Sequence, residues 1–175
     1  SASIVASTVE SAAAFGSHSG ALRLDGAATI SGCTFTQCGT GTASGTAGGG
    51  SISTGAGTVV LRNCQFTQSN TGGFGGAVNA GVSTVIVGCT FTECQSTDLS
   101  SGGGAVYGAV HIVNSRFANN YANGPGSAVL GALSLTNCIF DTNSTQNQPG
   151  LCAVSLTDAN ATVTNTGSVA GKQVV

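Results

Sequence analysis

The sequence predicts an all-β fold, a parallel β-solenoid of about six coils with roughly 25 residues in each coil. Three observations predict it, of which the first two are a short apolar motif that recurs along the chain and a glycine-rich segment that precedes most of its copies. A third is the lack of helical periodicity, together with a scarcity of Glu, Lys and Arg, which favour helices. We therefore expect residues 1–175 to form a single solenoid domain.

The recurring motif combines an aliphatic residue, a turn residue, a Cys or Ser and a Phe at constant spacing. Complete copies span residues 29–35, 60–66, 85–91, 111–117 and 134–140, and a degenerate copy spans residues 4–9. Because neighbouring strand residues point to opposite faces, we expect the aliphatic residue, the Cys or Ser and the Phe to point inward. The expected core column, to which we assign no binding role, is Phe35, Phe66, Phe91, Phe117 and Phe140.

The residue three positions before each Phe is a Gly or an Asn, the types that adopt a left-handed backbone most easily. A sharp corner between two strands is therefore expected at Gly32, Asn63, Gly88, Asn114 and Asn137. A second column of small polar residues follows three positions after each Phe. Its members are Cys38, Ser69, Cys94, Asn120 and Asn143, and the last two are expected to form an internal amide ladder.

The seven cysteines allow two interpretations. Cys33, Cys64, Cys89 and Cys138 share one inward column, where a thiol can act as a small buried hydrophobic group. Two coils carry a second cysteine, which suggests disulfides within a coil. The candidate disulfides join Cys33 to Cys38 and Cys89 to Cys94, and they would indicate an oxidising compartment.

Two sequons for N-glycosylation fit an extracellular location. They are Asn143-Ser144-Thr145 and Asn160-Ala161-Thr162, so Asn143 and Asn160 are the candidate acceptors.

Charged residues make up only 6% of the chain, and the net charge is −2. Four Lys and Arg residues cannot neutralise many phosphates, so nucleic acid is not expected as a partner. No apolar run is long enough to predict a membrane span.

An active site is not expected, because the register places no two carboxylates close enough to act together. The basic residues are equally scattered, and there is no Cys-x-x-Cys pair for zinc. We therefore predict no catalytic residues, no metal site and no cofactor. The carboxylates considered are Glu10, Asp25, Glu93, Asp98, Asp141 and Asp158.

The segment Gly103-Gly104-Ala105-Val106, followed by Phe117-Ala118-Asn119-Asn120, carries a resemblance to a known family. It resembles the repeat of the chlamydial polymorphic outer-membrane proteins and related right-handed parallel β-helix surface proteins. The resemblance covers roughly residues 4–165. It implies a right-handed β-helix and an extracellular or cell-surface location, but it does not identify an activity.

No capping segment is evident at either end of the sequence, and residues 166–175 are expected to form an apolar C-terminal tail. Two explanations remain open: the chain is one unit of a longer solenoid, or its copies stack end to end as a filament.

The function expected from these features is that of a non-catalytic extracellular structural protein, a filament subunit or an adhesive fibre. Its expected partners are further copies of itself and glycans or a cell-surface receptor. One alternative is a β-helix that binds or degrades polysaccharides, as lyases do. Another is an ice-binding solenoid, suggested by the outward pairs Thr34 with Thr36 and Thr90 with Thr92.

Overall fold

The structure, a computed structural model, describes residues 1–14, 19–41, 48–145, 154–155, 162–164 and 167–170. All regular elements in these ranges are β-strands, and every paired strand runs parallel to its neighbour. They form an 11-stranded sheet, a 7-stranded sheet and a 6-stranded sheet, which we name sheets A, B and C. The predicted all-β solenoid is confirmed.

Wherever the structure describes a complete coil, the chain passes through sheet A, then sheet B, then sheet C. The strands of sheet B are Thr8–Glu10, Thr34–Thr36, Gln65–Thr67, Thr90–Thr92, Arg116–Ala118, Ile139–Asp141 and Gly167–Ala170. The strands of sheet C are Ala13–Ala14, Gly39–Thr40, Asn70–Thr71, Gln95–Ser96, Tyr121–Ala122 and Ser144–Thr145. Five turns of the chain separate the six strands of sheet C.

Sheet A contains two rows of strands, and two long strands, Val78–Val87 and Val106–Val113, run through both rows. The first row also includes Leu22–Leu24, Ile52–Thr54, Val129–Leu130 and Val154–Ser155. The second row also includes Ala2–Val5, Ala28–Ser31, Val59–Arg62, Ser134–Thr136 and Thr162–Thr164.

The core is built from columns of like residues, because adjacent coils pair in register. Phe66 pairs with Phe35 on one side and with Phe91 on the other. The five phenylalanine rings stack at centroid separations of 4.8 to 5.0 Å and lie within 8° of parallel. All five are at most 1% exposed, as predicted. The aliphatic column packs beside them, with Ile30, Leu61, Ile86, Ile112 and Leu135 fully buried.

The corner between sheets A and B lies where the sequence predicted it. Gly32, Asn63, Gly88, Asn114 and Asn137 have φ values between 50° and 64°. The corner between sheets B and C has a left-handed backbone too, although no Gly occupies it in the coils whose corner the structure describes. Gln37, Gln68, Glu93, Asn119 and Thr142 have φ values between 50° and 55° there.

Gly167–Ala170 lies inside the segment expected to be a C-terminal tail, yet it pairs with Ile139–Asp141 as a strand of sheet B. The described ranges contain only β-strands as regular elements, and no candidate membrane-spanning helix is found among them.

Candidate functional site

The six cysteines in the described residues all carry free, buried thiols. The pairing of Cys33 with Cys38 and of Cys89 with Cys94 that the sequence suggested is therefore not formed. The reason is geometric, since each pair flanks an extended three-residue strand of sheet B that spans roughly 10 Å. Disulfides need Cα atoms within about 7 Å. Cys152 lies outside the described residues.

Each of these thiols contacts backbone oxygens instead of a partner sulfur. Sγ of Cys33 lies 3.4 Å from the carbonyl oxygen of Ser31, and Sγ of Cys38 lies 3.6 Å from that of Thr36. Burial raises the pKa of Cys94 to about 12 and also raises the pKa of Cys138. A buried, protonated thiol is a poor nucleophile. Cys94 and Cys138 therefore act as packing groups and not as reactive groups.

Asn143 belongs to the internal amide ladder that the sequence predicted. Its Oδ1 accepts hydrogen bonds of 2.9 Å from both the backbone N and Nδ2 of Asn120. Its Nδ2 donates to the carbonyl oxygen of Phe117 at 3.0 Å. N-glycosylation modifies this nitrogen, so the geometry argues against a glycan on Asn143 in the folded protein. The other candidate acceptor, Asn160, lies outside the described residues.

The structure brings each of two carboxylates next to an arginine instead of to another carboxylate. Nε of Arg23 lies 2.9 Å from Oδ1 of Asp25, and Nη2 of Arg116 lies 2.9 Å from Oδ2 of Asp141. Both pairs are about half exposed, so each stabilises the fold by less than about 1 kcal/mol. Within the described residues, no three His, Cys, Asp or Glu side chains form a group that could hold a metal ion.

The outward face of sheet B carries the threonines that suggested ice binding. Thr34 and Thr90 are separated by Gln65, which pairs with both. Thr36, Thr67 and Thr92 form an unbroken column across three coils, and Ala118 follows them. The regular threonine array is therefore short.

The corner between sheets B and C lines an open concavity of about 510 Å³. We name it the amide groove, and its lining residues are Gln37, Gln68, Asn70, Glu93, Gln95 and Asn119. One wall is formed by the corner residues with left-handed backbone, which are Gln37, Gln68, Glu93 and Asn119. The other wall is formed by Asn70 and Gln95, which pair with each other on sheet C. All six side chains are exposed to solvent.

A chain of hydrogen bonds orders the corner wall of the groove. Nε2 of Gln37 donates to Oε1 of Gln68 at 3.2 Å. Nε2 of Gln68 donates in turn to Oε2 of Glu93 at 2.8 Å. Among the described residues that line the groove, Glu93 is the single charged one, and none is a Lys or an Arg.

The groove was not predicted from the sequence, although a regular spacing marks it. Its corner residues lie two positions after each Phe, and its sheet C residues lie four positions after. The columns predicted from the sequence point inward, whereas the groove residues point outward. The sequence predicted Glu93 to be an isolated carboxylate, but it is one of the residues that line the amide groove.

The family model for the right handed beta helix region matches residues 1–167. No curated protein and no solved structure matches the chain.

Proposed function

The chain belongs to the right-handed β-helix family, and we propose that it is a non-catalytic structural and adhesive rod of the cell surface. Members of this family include both enzymes and proteins without catalytic activity, so the family alone does not decide between them. The proposal therefore depends on what the side chains of this chain can do.

The observation that carries the proposal is the unbroken stacking of like residues inside the rod. The phenylalanine stack from Phe35 to Phe140 passes through five coils without an interruption. The amide ladder of Asn120 and Asn143 continues the same regularity in a polar column. Such an interior supports a stiff rod that presents rows of outward side chains at constant spacing.

A lyase would need clustered carboxylates and a basic residue available to the substrate. In the described residues, Arg23 and Arg116 are engaged by Asp25 and Asp141. Arg62 is exposed on sheet A, where its neighbours in register are Ser31 and Val87 and not carboxylates. Glu93 instead lies beside the amide of Gln68. This arrangement supports a binding role over a catalytic one.

The extracellular or cell-surface location is part of the proposal. It rests on the resemblance of the repeat to that of the chlamydial polymorphic outer-membrane proteins. The six free thiols of the described residues give no argument for an oxidising compartment. End-to-end association of rods into a filament is proposed as their mode of assembly.

Two measurements on the purified chain test this function. Incubation with acidic and neutral polysaccharides, with and without Ca²⁺, should produce no new reducing ends and no unsaturated products. Electron microscopy at low micromolar concentration should show rods joined end to end. Release of products at a catalytic rate would overturn the non-catalytic role, and separate short rods would overturn the mode of assembly.

A further inference from the structure

We propose that the amide groove binds a neutral polysaccharide that lies along the axis of the rod. This inference deepens the proposed adhesive role by naming a ligand class and a surface. It depends on three properties of the groove: the chemistry of its side chains, its charge and its repeat.

Side-chain amides suit the recognition of sugar hydroxyls, because each amide offers two donors and an acceptor. Five of the six lining residues are Gln or Asn, and they converge on one open concavity. The hydrogen bonds from Gln37 to Gln68 and from Gln68 to Glu93 hold the corner wall in place before a ligand arrives. Less side-chain entropy is then lost on binding.

The charge of the groove selects against acidic polysaccharides. Glu93 contributes a negative charge, and no Lys or Arg among the described lining residues compensates it. A uronate chain would place carboxylates near Glu93, and like charges brought together across a binding surface lower affinity. A neutral chain meets no such repulsion, and its hydroxyls can donate to the Glu93 carboxylate.

The repeat of the groove suits a chain that runs parallel to the rod axis. Its residues come from successive coils, since Asn70 pairs directly with Gln95, and hydrogen bonds join Gln37 to Gln68 and Gln68 to Glu93 from one coil to the next. Neighbouring coils are about 4.8 Å apart, close to the length of one sugar residue in an extended glycan. Successive sugars can therefore meet equivalent amides on successive coils.

The test is native affinity electrophoresis of the whole chain in gels that contain one polysaccharide each. The neutral probes are a mixed-linkage β-glucan, a galactomannan and dextran, and the acidic probe is polygalacturonate. The variants Asn70→Ala and Gln95→Ala remove groove amides from strands of sheet C. Gln65→Ala is the matched control, because Gln65 is also exposed on a strand but lies outside the groove.

We expect at least one neutral polysaccharide to retard the chain and polygalacturonate not to do so. Each groove variant should weaken the binding about tenfold, and Gln65→Ala should leave it unchanged. The inference is overturned if no neutral probe retards the chain, if polygalacturonate binds as well, or if Gln65→Ala weakens binding as much as Gln95→Ala. Reducing ends measured in the same samples report separately on the proposed non-catalytic role.

Discussion

The carboxamide of Asn120 lies directly above that of Asn143 in the next coil, and Nδ2 of Asn120 donates to Oδ1 of Asn143 over 2.9 Å. Asn120 is fully buried, and its Oδ1 accepts a hydrogen bond from the backbone N of Cys94 at 3.0 Å. Its Nδ2 also donates to the carbonyl oxygen of Phe91 at 3.1 Å. One side chain thus joins three consecutive coils inside the rod.

Asn120→Ala should lower the free energy of unfolding by about 2–4 kcal/mol, because it leaves buried backbone groups without partners. Urea unfolding followed by circular dichroism measures the change. Asn79→Ala is the control, since Asn79 is a half-buried Asn on a strand of sheet A. It should change the stability by less than about 0.5 kcal/mol. Equal losses in the two variants would contradict the role given to the ladder.

The free thiols predict the result of an alkylation experiment. Denatured protein treated with iodoacetamide without a reductant should gain at least six alkyl groups, one for each described cysteine. The native protein should react slowly, because all six thiols are buried. A reductant that increases the number of alkyl groups by four would contradict the structure and restore the two disulfides within coils.

The corner between sheets B and C predicts opposite effects for two glutamines three residues apart. Gln68 has φ of 54°, which a β-branched residue adopts at high cost, whereas Gln65 lies in an extended strand. Gln68→Val should therefore destabilise the chain by about 1–2 kcal/mol. Gln65→Val should be neutral or slightly stabilising. Urea midpoints compare them, and a similar loss in both variants would contradict the corner geometry.

The buried thiol of Cys94 predicts a fall in stability at alkaline pH. Its pKa is raised from 9.0 to about 12, so the folded chain holds this proton between those values while the unfolded chain loses it. The contribution of the protonated Cys94 thiol to the free energy of unfolding is complete below pH 9 and is lost as the pH rises toward 12. Between these pH values, each such thiol steepens the fall of the free energy of unfolding with pH by about 1.4 kcal/mol per pH unit.

Cys94→Ala should make that alkaline slope shallower by about one proton's contribution. Urea unfolding between pH 8 and pH 11 measures it, with reductant present to prevent oxidation. Because the slope and not the absolute stability is compared, the cavity left by the substitution does not obscure the result. An unchanged slope would show that Cys94 is not a buried protonated thiol.

The parts of the fold that could be predicted are those in which the residue type itself reveals the geometry. Gly32 and Asn63 mark the first corner because few other residues adopt a left-handed backbone easily. Gln37 and Gln68 gave no such indication at the second corner, where stacking of the coils imposes a backbone that these residues do not favour. The groove depends on that corner, so the regular spacing of its residues could be interpreted only once the geometry of the corner was known.

Successive coils lie directly above one another, so that each outward position forms a row along the rod. Cross-linking of introduced cysteines tests it most directly, with a bifunctional methanethiosulfonate that spans one strand spacing. Thr36→Cys with Thr67→Cys joins paired positions on adjacent coils and should cross-link rapidly. Thr36→Cys with Thr92→Cys joins positions two coils and roughly 10 Å apart and should not. Equal cross-linking of the two pairs, with the native thiols unmodified, would contradict the stacking.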